Sequence, residues 1–287
     1  MALRLGLVGR GRWGRNIERT LLTFPDVSVA VIARGEKPPT GLDGILIATQ
    51  SATHAEAALP YIEAGIATFI EKPMTTALAD AERIRDAAAR SGAIVFVGHI
   101  LLYHPTFLAA LDLLPSLGAI RYLLCEGMNG SPRTDSSVLW DWLPHDLSIA
   151  RAIFGREAGS VAAWSLSGGE TPAAALTRFL FGEVPVVSTV SWLSPVRRRR
   201  VTMACESATL VFDDNAERRL ALHGKHGEPT YPAYSDALPL TQEMAAFLRA
   251  VRSGKADAEH IQTGISVVAA IAAAERSIVL GGQPVTI

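Results

Sequence analysis

The sequence is poor in cysteine, in aromatic side chains and in net charge. Its 287 residues hold two cysteines, 7% aromatics and a formal charge of −1. Cys125 and Cys205 each lie in an apolar, strand-like run with no Cys/His cluster around them. That pattern reads as buried free thiols rather than a disulfide framework or a metal centre. A charge near zero gives no bulk attraction to nucleic acid or to an anionic membrane. No apolar run reaches the roughly 18 residues that a membrane span needs. No leader-like segment precedes the first strand-like run, Leu3 to Val8, so a reducing cytoplasm is the expected compartment. What is present is ordinary for a globular chain: 49% apolar and 19% charged residues, enough length for two cores.

Leu3 to Val8 runs into Gly9-Arg10-Gly11-Arg12-Trp13-Gly14, and a helix is predicted from about Arg12 to Thr23. Strand, glycine turn and helix are the context in which such a motif holds a dinucleotide. Gly9 permits the tight turn, Gly11 lets backbone N–H groups approach a pyrophosphate, and Gly14 lets helix and strand pack closely. A second strand spans Val27 to Ala33. At its end, where an acidic residue usually holds the adenosine ribose, stands Arg34. An arginine there suits a 2′-phosphate and tilts the cofactor expectation from NAD toward NADP; a solvated loop arginine is the alternative.

About nine residues separate Arg34 from the next strand, Gly44 to Ala48. A crossover with its own helix needs at least about 10–12 residues. The expectation is a sheet lacking one helix and one edge strand. Helix 53–64, strand 67–70, helix 76–90 and strand 93–97 then alternate, with glycine stops at Gly65 and Gly92. This is a doubly wound parallel sheet, whose ligands bind beyond the carboxyl ends of the strands. Ala48-Thr49-Gln50, Glu71-Lys72-Pro73 and Gly98-His99 all fall at that edge.

From Gly118 onward strand signals dominate, at 120–128, 161–167, 175–181, 186–193, 199–204 and 209–212, with short turns that suit an antiparallel sheet. One helix, Asp141 to Phe154, carries a polar stripe of Asp141, His145 and Ser148; Pro144 is tolerated only in a first turn, so the helix should begin near Asp141. Helices at 241–252 and 261–280 complete the chain. The run Arg197 to Arg200 reads as a solvated or interface-facing strand. The predicted domains are 1–117, a dinucleotide-binding Rossmann-like unit, and 118–287, an α+β unit for substrate and oligomerisation.

These motifs resemble the Gfo/Idh/MocA oxidoreductase family. The glycine motif matches, as does Leu42 to Thr49 followed by His54. Glu71-Lys72-Pro73 is the most specific short match, and Asp141 with His145 the second; Tyr103-His104-Pro105 resembles the family's link between domains. The resemblance implies Lys72, Asp141 and His145 as catalytic residues. Lys72 would hydrogen-bond the substrate, His145 would take the hydroxyl proton, and Asp141 would orient or tune them. It implies cofactor contacts from Gly9, Gly11, Arg12, Trp13, Gly14, Arg34, Ala48, Thr49, His54, Glu71 and Lys72. It places His99, Tyr103, His104 and Trp142 near a sugar-like or sugar-nucleotide substrate, and implies a cis bond before Pro73. No metal ligand set is present in the sequence. Bland roles stand beside these: a surface lysine, a packed helix histidine, an N-capping Asp141, and structural histidines at 54, 99 and 104. Ile100, Leu101 and Leu102 stand where many relatives carry a polar contact.

The expected activity is hydride transfer between NAD or NADP and a secondary hydroxyl or ketone. The alternative is a non-catalytic descendant that binds a sugar or nucleotide as a sensor or assembly subunit. One apolar sheet face, with Trp164 and Trp192 as examples, should be covered in a homodimer or homotetramer.

Overall fold

In a computed structural model the chain is described except for Met1, Arg34, Thr134, Asp135, Glu170 and Ala256. It divides into two compact units, one of Met1–Ile100 with Leu238–Val268 and the other of Leu101–Ala237 with Ala269–Ile287. Segment 238–268, assigned to the carboxy-terminal half on sequence grounds, thus lies with the amino-terminal sheet.

The first unit holds β1 (Leu3–Val8), α1 (Arg12–Leu21), β2 (Val27–Ile32), β3 (Gly44–Ile47), α2 (His54–Glu63), β4 (Ala67–Glu71), α3 (Leu78–Ser91) and β5 (Val95–Gly98). All five strands pair in parallel in the order β2-β1-β3-β4-β5. Among the described residues no strand pairs beyond β2, in keeping with the short connection. β2 is therefore an edge, with Ser28 and Val31 exposed, whereas every residue of β3, β4 and β5 is buried. The right-handed crossover rule puts α1 and the pair α2/α3 on opposite faces. α6 (Pro239–Ser253) packs on the sheet: Phe247 meets the rings of Phe69 and Phe96 edge-on at 5.6 and 5.8 Å. Arg252 anchors its far end on Asp26 at 2.6 Å. The start of α7 (Ala258–Val279) adds His260 stacked on Phe96 at 3.8 Å.

The second unit holds β6 (Ile120–Met128), α5 (Val138–Phe154), β7 (Ser160–Ser165), β8 (Ala174–Phe181), β9 (Val184–Ser191), β10 (Arg198–Cys205), β11 (Ala208–Asp213), β12 (Leu220–Gly224) and β13 (Val285–Thr286), preceded by α4 (Pro105–Leu113). The sheet order is β12-β11-β10-β6-β9-β8-β7-β13, antiparallel except for the β6–β9 pair. Alternation sorts β6 cleanly. Leu123, Cys125 and Gly127 are buried, and the residues between them are at least partly exposed.

Three expectations need correction. α5 begins at Val138, three residues early, and Pro144 sits inside it. Burial of Val138, Leu139 and Trp140 extends the helix past the point where the proline removes one hydrogen bond. Trp192 is not on the open sheet face: it is buried, with Nε1 donating to Asp141 at 3.1 Å. Trp164 is exposed as expected. Cys125 is a buried free thiol, but Cys205 is only partly buried.

Candidate active site

At the glycine motif each glycine has a spatial reason. Gly9 has φ +96°, and a Cβ there would lie 2.5 Å from the Ala48 carbonyl and 2.7 Å from the Thr49 nitrogen. A Cβ on Gly14 would stand 2.0 Å from the Gly9 oxygen. Gly11, the N-cap of α1, faces open space instead, with nothing within 4 Å of its missing Cβ. No side chain caps α1 and no acid sits in its first turn, so its leading N–H groups present a positive end to that space. This cradle fits a dinucleotide pyrophosphate. Arg12 is exposed and Ala48 and Thr49 are half-buried at the same turn. Arg34 lies outside the described residues.

The second motif is bonded to the first. Glu71 ends β4, and its Oε1 accepts a short hydrogen bond from Trp13 Nε1 while Oε2 accepts from the Lys72 backbone N–H at 3.2 Å. Lys72 is half-buried beside it, and the Lys72–Pro73 bond is cis, as the resemblance implied. Burial pushes the Glu71 carboxyl up to about 7, against the pull of Trp13 and Lys72. His54 is buried at the start of α2. Its Nδ1 reaches the Pro73 carbonyl at 2.8 Å and its Nε2 the Thr49 carbonyl at 3.2 Å, so it ties the two strand-end loops together. His99 is buried just after β5.

In the second unit Asp141 and His145 stand four residues apart on α5, and so share a helix face. Asp141 accepts from Trp192 Nε1 and meets Arg133 Nη1 at 3.5 Å. It is therefore more than an N-cap, since the helix starts at Val138. His145 is buried, and its carbonyl receives Ser148 Oγ at 3.0 Å. Trp142 lies on Gly127, whose Cβ would come within 2.4 Å of the indole, and the Arg199 guanidinium stacks over the ring at 4.7 Å. Burial pushes the neighbouring Asp146 up to about 6, against the opposing pull of Ser188 and Arg199.

Tyr103 is half-buried ahead of α4. His104 has a structural task. Nδ1 accepts from Thr106 N as the N-cap of α4, and Nε2 faces Asp214 at 3.2 Å. With both nitrogens used inside the unit, it offers no group to a substrate.

Two residues escaped the sequence reading. Arg199 was one of four consecutive arginines, yet β10 turns it against Trp142. Glu243 on α6 is wholly buried, and neither carboxyl oxygen has a hydrogen-bond partner among the described residues. Strand alternation could have singled out Arg199; Glu243, one residue after Gln242, carries no such signal.

The oxidoreductase family with an NAD-binding Rossmann fold matches residues 36–99. The chain is 27% identical over 273 residues to myo-inositol dehydrogenase Hyg17 of Streptomyces leeuwenhoekii, covering 88% of this chain and 83% of that protein. It is 28% identical over 187 residues to inositol 2-dehydrogenase 2 of Saccharopolyspora erythraea, and that match spans only 55% of either chain. The fold is that of UDP-N-acetylglucosamine 3-dehydrogenase from Acidithiobacillus ferrooxidans, with TM-score 0.86 at 21% identity over 99% of this chain and 100% of that one.

Proposed function

We propose that the chain is an oxidoreductase of the Gfo/Idh/MocA family, whose NAD-binding model matches residues 36–99, and that it transfers hydride between NAD(P) and a secondary hydroxyl or ketone of a cyclic polyol, sugar or sugar nucleotide. One observation carries the reading. Trp13 of the glycine turn bonds Glu71, the residue before Lys72, so a dinucleotide cradle and a candidate ammonium are fixed to each other within one unit. The relatives' names support the substrate class.

Gly9, Gly11 and Gly14 would hold the pyrophosphate against the N-terminus of α1. Bound nicotinamide would supply the hydride acceptor. With cofactor and substrate bound, His145 would take the hydroxyl proton, general-base work for which an imidazole is the side chain most often used. Lys72 would stabilise the negative charge on the substrate oxygen. Asp141, held by Trp192 and Arg133, sits one helical turn from His145 and orients it. Arg34 favours NADP, which relative affinities for NADPH and NADH test directly. The exposed sheet face bearing Tyr122 and Trp164 would be covered in a homodimer or homotetramer. A monomer in sedimentation would refute that.

Lys72→Ala and His145→Ala should each lower turnover at least about 100-fold while NADH still binds. Full turnover in either variant would refute the assignment. The bare edge at β2 favours one competing reading, a ligand-binding descendant without activity. Absence of binding of either cofactor at millimolar concentration would select it.

A further inference from the structure

α5 carries Asp141 and His145, yet its own hydrogen bonds leave its first turn weakly held. Pro144 has no N–H, so the Trp140 carbonyl, four residues back, receives no helix bond from it, and the ring crowds that carbonyl. The N-cap, Ser137, makes no side-chain bond to the helix backbone. The first N–H of the helix, that of Val138, bonds the Pro172 carbonyl at 3.2 Å. The turn that presents Asp141 therefore depends on partners from elsewhere in its unit.

One acid that the mechanism above does not use grips that turn. Glu275 lies on the part of α7 that belongs to the second unit. Its Oε1 accepts from Trp140 Nε1 at 2.8 Å and from Ser137 Oγ at 3.3 Å. Ser137 and Trp140 are the N-cap and the third residue of α5, and both are buried. The carboxylate thus holds the turn at two points and places its charge at the positive end of the helix. Burial raises the Glu275 carboxyl, and its two donors, Trp140 and Ser137, oppose that rise. Glu275 is itself anchored. Two residues on, buried Ser277 donates to the Gln283 carbonyl at 2.6 Å and accepts the Ala163 N–H of β7 at 2.9 Å. A continuous set of bonds therefore runs from the sheet through the end of α7 to Trp140.

Side-chain groups stand about 5–6 Å from a helix axis, so a roll of about 10° moves them by about 1 Å. A displacement of that size costs about 100-fold in rate. Asp141 directly follows Trp140 and accepts the Trp192 indole N–H at 3.1 Å, so any roll of the turn is also felt at Trp192. We propose that Glu275 is a positioning residue: by holding Ser137 and Trp140 it sets the roll of α5, and with it the placement of Asp141 and His145. Its effect on turnover rests on the function proposed above; its effect on α5 does not.

The test compares Glu275→Ala and Glu275→Gln with the unaltered protein. Alanine removes the acceptor, whereas glutamine keeps one oxygen for both donors. E275A should lose about 100-fold in kcat with KM for NADH unchanged, and E275Q should stay within about fivefold of the unaltered rate. An acid that only stabilises the fold would lower the melting midpoint of E275A and leave the kcat of the folded protein intact. That result, or an E275Q no faster than E275A, would overturn the proposal. The five indole N–H resonances read the geometry by NMR without any substrate. In E275A the signals of Trp140 and Trp192 should both move, while that of Trp13, in the other unit, stays. In E275Q the Trp192 signal should stay. A Trp192 signal unmoved in E275A would overturn the proposal. Should E275A not fold, Trp140→Phe keeps a ring and removes the donor; it should move the Trp192 signal, and an unmoved signal there overturns the proposal equally. If the unaltered protein turns over no substrate, the functional reading fails, and the resonances still decide the role of Glu275.

Discussion

Gly127→Ala is the substitution whose effect the structure specifies most closely. The added methyl would lie 2.4 Å from Trp142 Cε3 and 2.9 Å from Cδ2. Carbon atoms rest at about 3.5–4.0 Å, so the indole must move by more than about 1 Å. It has little room, because Arg199 stacks on the same ring and α5 is buried along Trp142 to Ala150. The displacement therefore passes to α5, which carries Asp141 and His145. Overpacking of this kind costs about 1–3 kcal/mol. For a chain of this size that lowers the melting midpoint by roughly 3–10 °C. A 1 Å error in placing a reacting group costs about 100-fold in rate. We expect a folded protein with modestly lower stability and a roughly 100-fold loss in kcat/KM, measured at 340 nm, with NADH binding nearly unchanged because the cradle lies in the other unit. Wild-type kcat/KM together with the expected fall in melting temperature would refute the claim that Trp142 sets the position of the Asp141–His145 face.

Other consequences are simpler. Gly9→Ala forces an alanine to φ +96° and drives its methyl into the Ala48 carbonyl, so NADH binding should fall at least about tenfold in a fluorescence titration. His104→Ala removes the N-cap of α4 and leaves Asp214 without its imidazole, for a loss of about 1–3 kcal/mol in urea unfolding and little change in KM for cofactor. Asp146 has its carboxyl raised to about 6 by burial, so the folded state holds that proton more tightly than the unfolded chain. Its contribution to stability is complete below the ordinary carboxylate range and is lost as pH rises through about 6. Asp146→Asn should flatten the fall in melting temperature between pH 4 and 7, while an unchanged slope would show that Asp146 ionises normally.

Much of the fold could be read because local rules and tertiary packing agree in it. Gly65 and Gly92 do follow the ends of α2 and α3, and the short span after Arg34 does leave β2 as an edge. Lys72, Asp141 and His145 stand out as candidates because their motifs sit at a strand end and at helical spacing. What escaped was set by burial. α5 reaches back to Val138 because Leu139 and Trp140 find a core, which overrides the local cost of Pro144. Trp192, expected on an open face, turns inward because Asp141 accepts its N–H. Arg199 looked like one member of a solvated run, and its partner ring is almost sixty residues away in sequence. Glu243 has the local pattern of any amphipathic helix acid. Only the packing of α6 against the sheet buries it. β12 and β13 are short, and Leu220 to Gly224 lacks the β-branched residues that mark a strand.

The most direct test of the account is a polyol and sugar-nucleotide screen followed at 340 nm with both nicotinamide cofactors, run in parallel on the unaltered protein, K72A and H145A. The account predicts reduction of the cofactor by at least one cyclic polyol or sugar substrate in the unaltered protein, at least about a 100-fold loss in each variant, and NADH binding in all three. Turnover that survives in either variant, or an unaltered protein that binds no nicotinamide cofactor at millimolar concentration, would contradict it.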